Sequence, residues 1–303
     1  MPFSSIPYPA VVHHMGALDG SPYPQNSLET IQASLEAGAA VIEVDVTALA
    51  SRDYLLVHEP LLEAETDGHG PVGACTLEAA RSLRIKHKGV VTPYAAPLLS
   101  DVVGRFLAAG GETRLQLDFK NTDPFPDDEP LARLARLIEP LGERVIVSSM
   151  ADWQLRALHR LAPWLALGFD IMRYIDWRPP TARRDPLEYP RAMGRLGYRD
   201  DHLMAGLPFA SAARYLEARC ESFIGLVPGV QVFYLEHPLI AHSLDDGFNW
   251  AKALHQYGIR LDAWTMDVTR PAAVANVPRL HEAGVDLFTS NTPRAIARLL
   301  AGG

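Results

Sequence analysis

Cysteine is scarce in this chain, with only Cys75 and Cys220 among 303 residues. They lie far apart and carry no metal-ligand spacing, so a structural role and a reducing, cytoplasmic location are expected. No run of residues is long and apolar enough to span a bilayer, which excludes a transmembrane helix. Residues 1–10 are polar and proline-containing, with no basic region ahead of an apolar run, so no secretory leader is expected there. An excess of positive charge is also missing. The formal net charge is −8, which argues against a nucleic-acid partner, because such proteins present a basic face to the phosphates.

Hydrophobic residues make up 48% and charged residues 21%, enough to bury a substantial core. Residues 1–303 fall within the range of a β/α barrel built as one domain. Short β-rich runs alternate with helical patterns, the signature of an α/β fold with parallel strands. Candidate strands cover residues 10–14, 41–46, 55–58, 115–119, 145–148, 165–169, 231–235, 260–264 and 286–289. That is one more than a TIM (β/α)8 barrel needs, so either 55–58 or 286–289 is expected to be irregular.

Helical spacing is clear in Leu28, Ile31 and Leu35, in Leu131, Leu134 and Ile138, in Leu155, Leu158 and Leu161, and in Ile296, Leu299 and Leu300. Asn26 with Glu29 three residues on predicts a capping box that opens the first helix, and Gly38 predicts its end. Two stretches break the alternation. Residues 69–97, rich in Gly, Pro and basic residues with a short helical piece near 77–83, read as a small insertion after the second or third strand. Residues 173–207, with Pro179-Pro180 and many arginines, read as a long loop.

Side chains alternate along a strand, so in Val41-Ile42-Glu43-Val44-Asp45-Val46 the two carboxylates share one face. Burying two like charges is costly unless a cation sits between them. A hard divalent ion, Mg²⁺ or Ca²⁺, with its preference for oxygen ligands, meets that need. Asp118 and Lys120 share a face at the end of another strand, where catalytic groups of barrels gather. Asp118 is a candidate third ligand, and Lys120 a candidate partner for substrate phosphate. His14 and His58 each end a predicted strand. Phosphodiester cleavage needs a base for the attacking oxygen and an acid for the leaving alkoxide, which two such histidines supply. Adjacent His13 should face the other way, into the core. Trp264, Tyr234 and Glu236, at strand ends, are further candidates to line a pocket.

The ordered set His14-Met15-Gly16, Pro24-Gln25-Asn26-Ser27, Glu43-Val44-Asp45, Val57-His58-Glu59-Pro60, Leu117-Asp118-Phe119-Lys120 and Ala263-Trp264-Thr265-Met266-Asp267 resembles the glycerophosphodiester phosphodiesterase family. The resemblance implies a β/α barrel that hydrolyses glycerophosphodiesters to glycerol phosphate and an alcohol. It further implies one divalent cation on Glu43, Asp45 and Asp118, with His14 and His58 as the acid–base pair. The chain departs from the family pattern at Met15, where an arginine is usual and would hold phosphate bidentately. It departs again at Gln25, where a glutamate is usual, and at Thr289-Ser290-Asn291-Thr292-Pro293, where Thr-Asp is usual.

His14-Met15 and the run Asp118-Phe119-Lys120-Asn121-Thr122 also look like the sphingomyelinase D and phospholipase D toxins. That likeness implies a lysophospholipid or phospholipid substrate and a cyclic phosphate product. A binding barrel without catalysis is the alternative outside enzymes, motivated by Met15 and Gln25.

Overall fold

The computed structural model describes residues 6–178 and 192–302. Eight parallel strands close into a barrel: β1 (Ala10–His13), β2 (Val41–Ala48), β3 (Arg114–Phe119), β4 (Val145–Ser149), β5 (Ala166–Asp170), β6 (Val230–Glu236), β7 (Arg260–Trp264) and β8 (Leu287–Ser290). Each strand pairs with its sequence neighbour, and the ring shuts where β1 meets both β8 and β2, Val12 opposite Val41 and His13 opposite Ile42. Helices run between consecutive strands, so this is the expected TIM barrel.

The surplus strand is the one over 55–58. Only Tyr54–Leu55 is extended, and it pairs antiparallel with Thr47 and Ala48 at the end of β2. Residues 286–289 are regular, lying within or beside β8. The expected insertion follows β2 and holds its own apolar cluster, including Leu55, Val57, Leu62, Val72 and Ile85. It also contains an antiparallel hairpin, Arg84–His87 with Val90–Ala95, which the sequence reading did not resolve. Of the long loop expected over 173–207, residues 179–191 lie outside the described residues. The flanks are tied down, with Asp176 bridging to Arg199 and with Asp200 held by Arg219 at 2.5 Å and Tyr215 at 2.7 Å.

The start of the first helix also differs from expectation. Its N-cap is Ser27, whose hydroxyl accepts from Thr30 N, while Asn26 sits at φ 57° and donates Nδ2 to Asp45 Oδ2 at 3.1 Å. A buried carboxylate needs a donor more than a helix end needs a second cap. Gly38, at φ 72°, closes the helix in the left-handed conformation as expected.

Alternation along the strands sorts their residues into two cores. Ile42, Val44, Val46, Leu115, Leu117 and Val147 face the helices. Ala10, Val12, Val41, Ile146, Ala166, Val232 and Leu287 fill the lower barrel. Above them Gln116, Ser148, Tyr234, Asp262 and Thr289 form a buried polar layer. Gly168 makes room there, since a Cβ at this position would sit 2.4 Å from Tyr234 Cε2.

Asp262 is fully buried, and burial pushes its carboxyl up to about 7, although Thr289 Oγ1 donates to it at 2.8 Å. The unfolded chain would ionise this group at about pH 4. Its folded pKa is raised, so stability is lost as pH rises from about 4 to 7 and is flat beyond. Asp262→Asn is therefore expected to raise the Tm at pH 8 and leave it unchanged near pH 4, by about 2–4 °C for each kcal/mol recovered. Thermal melts at both pH values test this, and an equal shift at both would remove the titration as the cause.

Candidate active site

The C-terminal ends of the strands carry a second, reactive layer above the polar one. Glu43 and Asp45 stand on β2 and Asp118 opposite Asp45 on β3. One oxygen from each lies within 4.8 Å of the others. The three predicted ligands therefore converge, as β2 and β3 are neighbours in register. Lys120 Nζ sits 2.9 Å from Asp45 Oδ1 and 2.5 Å from Asp118 Oδ2, so it binds the carboxylates directly.

Charge is unevenly compensated across this cluster. Burial raises the Glu43 carboxyl well above its ordinary range, and Asp45 and Asp118 push it the same way. Glu43 Oε2 accepts from Met15 N at 2.8 Å, yet Oε1 is buried without a partner among the described residues. Burial also opposes ionisation of Asp45, but the Lys120 ammonium, with help from His58 and His14, outweighs it and holds this carboxyl low. Lys120 itself is held protonated against its burial by Asp118 and Asp45.

His14 follows β1 directly, and its Nε2 lies 3.9 Å from Glu43 Oε2. Its other nitrogen, Nδ1, is 2.8 Å from Asn291 Oδ1. Asn291 donates Nδ2 and its backbone N to the two oxygens of Asp267, at 2.9 and 2.8 Å. A carboxylate only accepts, so the asparagine must turn its carbonyl toward His14. Nδ1 of His14 is thereby the nitrogen that donates to Asn291, and Nε2 faces the carboxylates. Gln25 Nε2 also donates to Asn291 Oδ1. Gln25 thus leaves the carboxylate cluster and joins the histidine support.

His58 comes from the insertion and not from a barrel strand. Its backbone N and that of Glu59 donate to Glu65 Oε2 at 2.6 and 3.1 Å, and its Nδ1 is 3.0 Å from Glu59 Oε1. Glu65 thus fixes the loop that carries His58. His13 is buried with Nδ1 2.9 Å from Ser34 Oγ, a core residue as expected.

His14, His58, Glu43, Asp118 and Lys120 line one pocket of about 320 Å³ together with Trp264, Tyr234, Gln116 and Asp170, and Asp45 lies buried behind it. Trp264 reaches it as expected. Glu236 does not line it, and pairs instead with Arg178 at 2.7 Å. Asp170 was not anticipated; burial raises its carboxyl well above the ordinary range. Gln116 Oε1, Tyr234 OH and Trp264 Nε1 are buried without a partner among the described residues, an arrangement that suits a polar ligand. Asn291 and Asp267 were missed as site residues. Asp267 stood in the quoted run Ala263–Asp267 without a role, and the signal for Asn291 was the departure at residues 289–293.

Fold and pocket together define an α/β-barrel protein whose acidic, histidine-flanked cavity opens at the C-terminal face, where barrel enzymes place their chemistry. The model of the glycerophosphoryl diester phosphodiesterase family matches residues 16–191, more than half of the chain. The chain belongs to that family.

A glycerophosphodiester phosphodiesterase of Caldanaerobacter subterraneus is 28% identical over 163 residues, which is 52% of this chain. The match spans 65% of that relative's length, just under two thirds. Among solved structures, a glycerophosphodiester phosphodiesterase of Parabacteroides distasonis superposes with TM-score 0.65 at 17% identity, covering 97% of each chain. An Oleispira antarctica phosphodiesterase, in complex with the product sn-glycerol-3-phosphate, superposes with TM-score 0.64 at 16% identity, again over 97% of each chain. At such identities the superpositions carry the fold.

Proposed function

We propose that this protein is a phosphoric diester hydrolase that converts glycerophosphodiesters to glycerol phosphate and an alcohol. Glu43, Asp45 and Asp118 hold one divalent cation, Mg²⁺ or Ca²⁺, and His14 and His58 exchange protons with the reacting oxygens. The observation that carries this reading is the convergence of three carboxylates, Glu43 and Asp118 lining a pocket with both histidines and Asp45 buried behind them. The fit to a cation rests on Glu43 Oε1, a buried acceptor without a donor among the described residues, and on an all-oxygen donor set suited to hard ions. When bound, such an ion supplies charge stabilisation to phosphoryl oxygens.

The remaining work falls to side chains of the chain itself. Lys120 holds Asp45 and Asp118 in place and adds positive charge beside the phosphoryl position. His14, with Nδ1 donating to Asn291, offers Nε2 to the reacting oxygens. His58, also in the pocket lining, offers its own Nε2, with Nδ1 turned to Glu59. Trp264, Gln116 and Tyr234 line the same pocket and offer polar atoms to the substrate.

Phosphorus NMR with glycerophosphocholine and lysophosphatidylcholine, each with and without EDTA, tests this reading. A chelator-sensitive glycerol phosphate signal is expected, and no product from either substrate would overturn it. A second reading, intramolecular attack on a lysophospholipid to leave a cyclic phosphate, is favoured by Met15 at the pocket, where the resemblance leads one to expect an arginine. An accumulating cyclic phosphate would select it. The free, buried Cys75 and Cys220 support the expected reducing, cytoplasmic location.

The support chain behind His14 gives a further expectation. Asn291→Ala should lower kcat by about 10–100-fold, the range for losing a group that orients a functional histidine. Steady-state kinetics should show KM nearly unchanged. An unchanged kcat would remove the positioning role.

A further inference from the structure

The insertion carries a charge pattern that the rest of the chain does not share. Net charge is −8, yet residues 79–100 contain Arg81, Arg84, Lys86 and Lys88 and no Asp or Glu. Their hairpin turns at Lys88 and Gly89, both at positive φ, 52° and 80°. This two-residue turn matches the twist of paired strands and holds the tip in a defined shape. Ile85 anchors one face in the insertion's apolar cluster. Val90 and Val91, just past the turn, are 67% and 48% exposed. Among the described residues none of the four cations forms an ion pair with a carboxylate. Lys86 Nζ donates only to the Glu63 carbonyl, at 3.0 Å.

Lysines on a sheet edge can simply guard it against pairing with other strands. That role does not account for two valines turned to solvent among them. Apolar tips set within unpaired cations fit a bilayer interface, where the valines enter the headgroup boundary and the cations meet lipid phosphates. We propose that this hairpin docks the protein on the anionic surface of a phospholipid bilayer. The placement brings the bilayer close to the active-site pocket. A groove lined by Lys86, His87 and Lys88 also reaches Met15 and Glu65, which line that pocket. The Tyr94 ring meets Tyr23 edge-on at 5.8 Å, joining the hairpin to the loop that carries Gln25 and Asn26. Docking does not depend on which reaction the pocket performs.

Co-sedimentation of the full chain with phosphatidylcholine vesicles, and with vesicles of phosphatidylcholine and phosphatidylglycerol, tests the proposal at low and physiological salt. Wild type should pellet with the anionic vesicles and stay in solution with the neutral ones, more weakly bound as salt rises. Lys86→Gln with Lys88→Gln should lower the partition coefficient about 30-fold, from about 1 kcal/mol per lysine. Val90→Ser with Val91→Ser should lower it independently. All four side chains stand at the surface, and an unchanged Tm verifies that each variant is folded. Wild type remaining in solution, pelleting equally with neutral vesicles, or undiminished binding of the lysine variant would each overturn the proposal.

Discussion

His14→Ala and His58→Ala are each expected to lower kcat on a glycerophosphodiester by about 10²–10⁴-fold, the usual contribution of a positioned acid or base. The fold should survive both changes. The two side chains are 24% and 39% exposed, and their partners are the polar Asn291 and Glu59. Neither ring fills the apolar core, so truncation opens no buried cavity. Steady-state kinetics beside a thermal melt checks the claim. Retained turnover in both variants would sink the acid–base assignment, and lost turnover with a collapsed Tm would make the variants uninformative about chemistry. In that case His14→Gln and His58→Gln, which keep most of the volume, decide the matter.

The second large effect separates Glu43 from Asp45. Both should bind a divalent cation, so Glu43→Gln and Asp45→Asn should each weaken Mg²⁺ or Ca²⁺ binding by about 100-fold or more, since each removes a charged oxygen ligand. Titration calorimetry reads this directly. Without metal the two changes should act in opposite directions. The Glu43 carboxyl is raised by burial and by its acidic neighbours, so its ionisation costs stability as pH rises above the ordinary carboxylate range. Glu43→Gln should therefore raise the metal-free Tm at pH 8 and not in acid.

Asp45 is held low by Lys120, so its contribution is present at neutral pH and lost as pH falls through the lowered value. Asp45→Asn should cost on the order of 1–3 kcal/mol at neutral pH, because Lys120 keeps only Asp118 as its close partner. Melts of the metal-free variants would show opposite signs. The same sign in both would mean that Lys120 does not divide the cluster as described. Such a site trades stability for binding, as functional sites often do.

The barrel was legible because its physics is local. Strand alternation in residues 41–46 and 115–119, and apolar spacing in the helices between, report burial face by face without any tertiary knowledge. Residues 55–58, one of the two runs expected to be irregular, could not be told from 286–289 for the same reason. They are apolar and end in a histidine like a barrel strand, and their burial comes from the insertion's own cluster. Asn26 misled in another way. A capping pattern describes the backbone's needs alone, and here a buried carboxylate 19 residues away took the side chain.

Spacing along single elements was enough to put Glu43 and Asp45 on one face, to send His13 and His14 apart, and to show strands and helices alternating. The folded barrel was needed to set Lys120 between Asp45 and Asp118, to clamp the His58 loop with Glu65, and to orient His14 from Asp267 through Asn291. Those contacts join residues far apart in the chain. His14 and Asn291 are 277 positions apart, and only closure of the barrel between its first and last strands brings them into hydrogen-bonding distance.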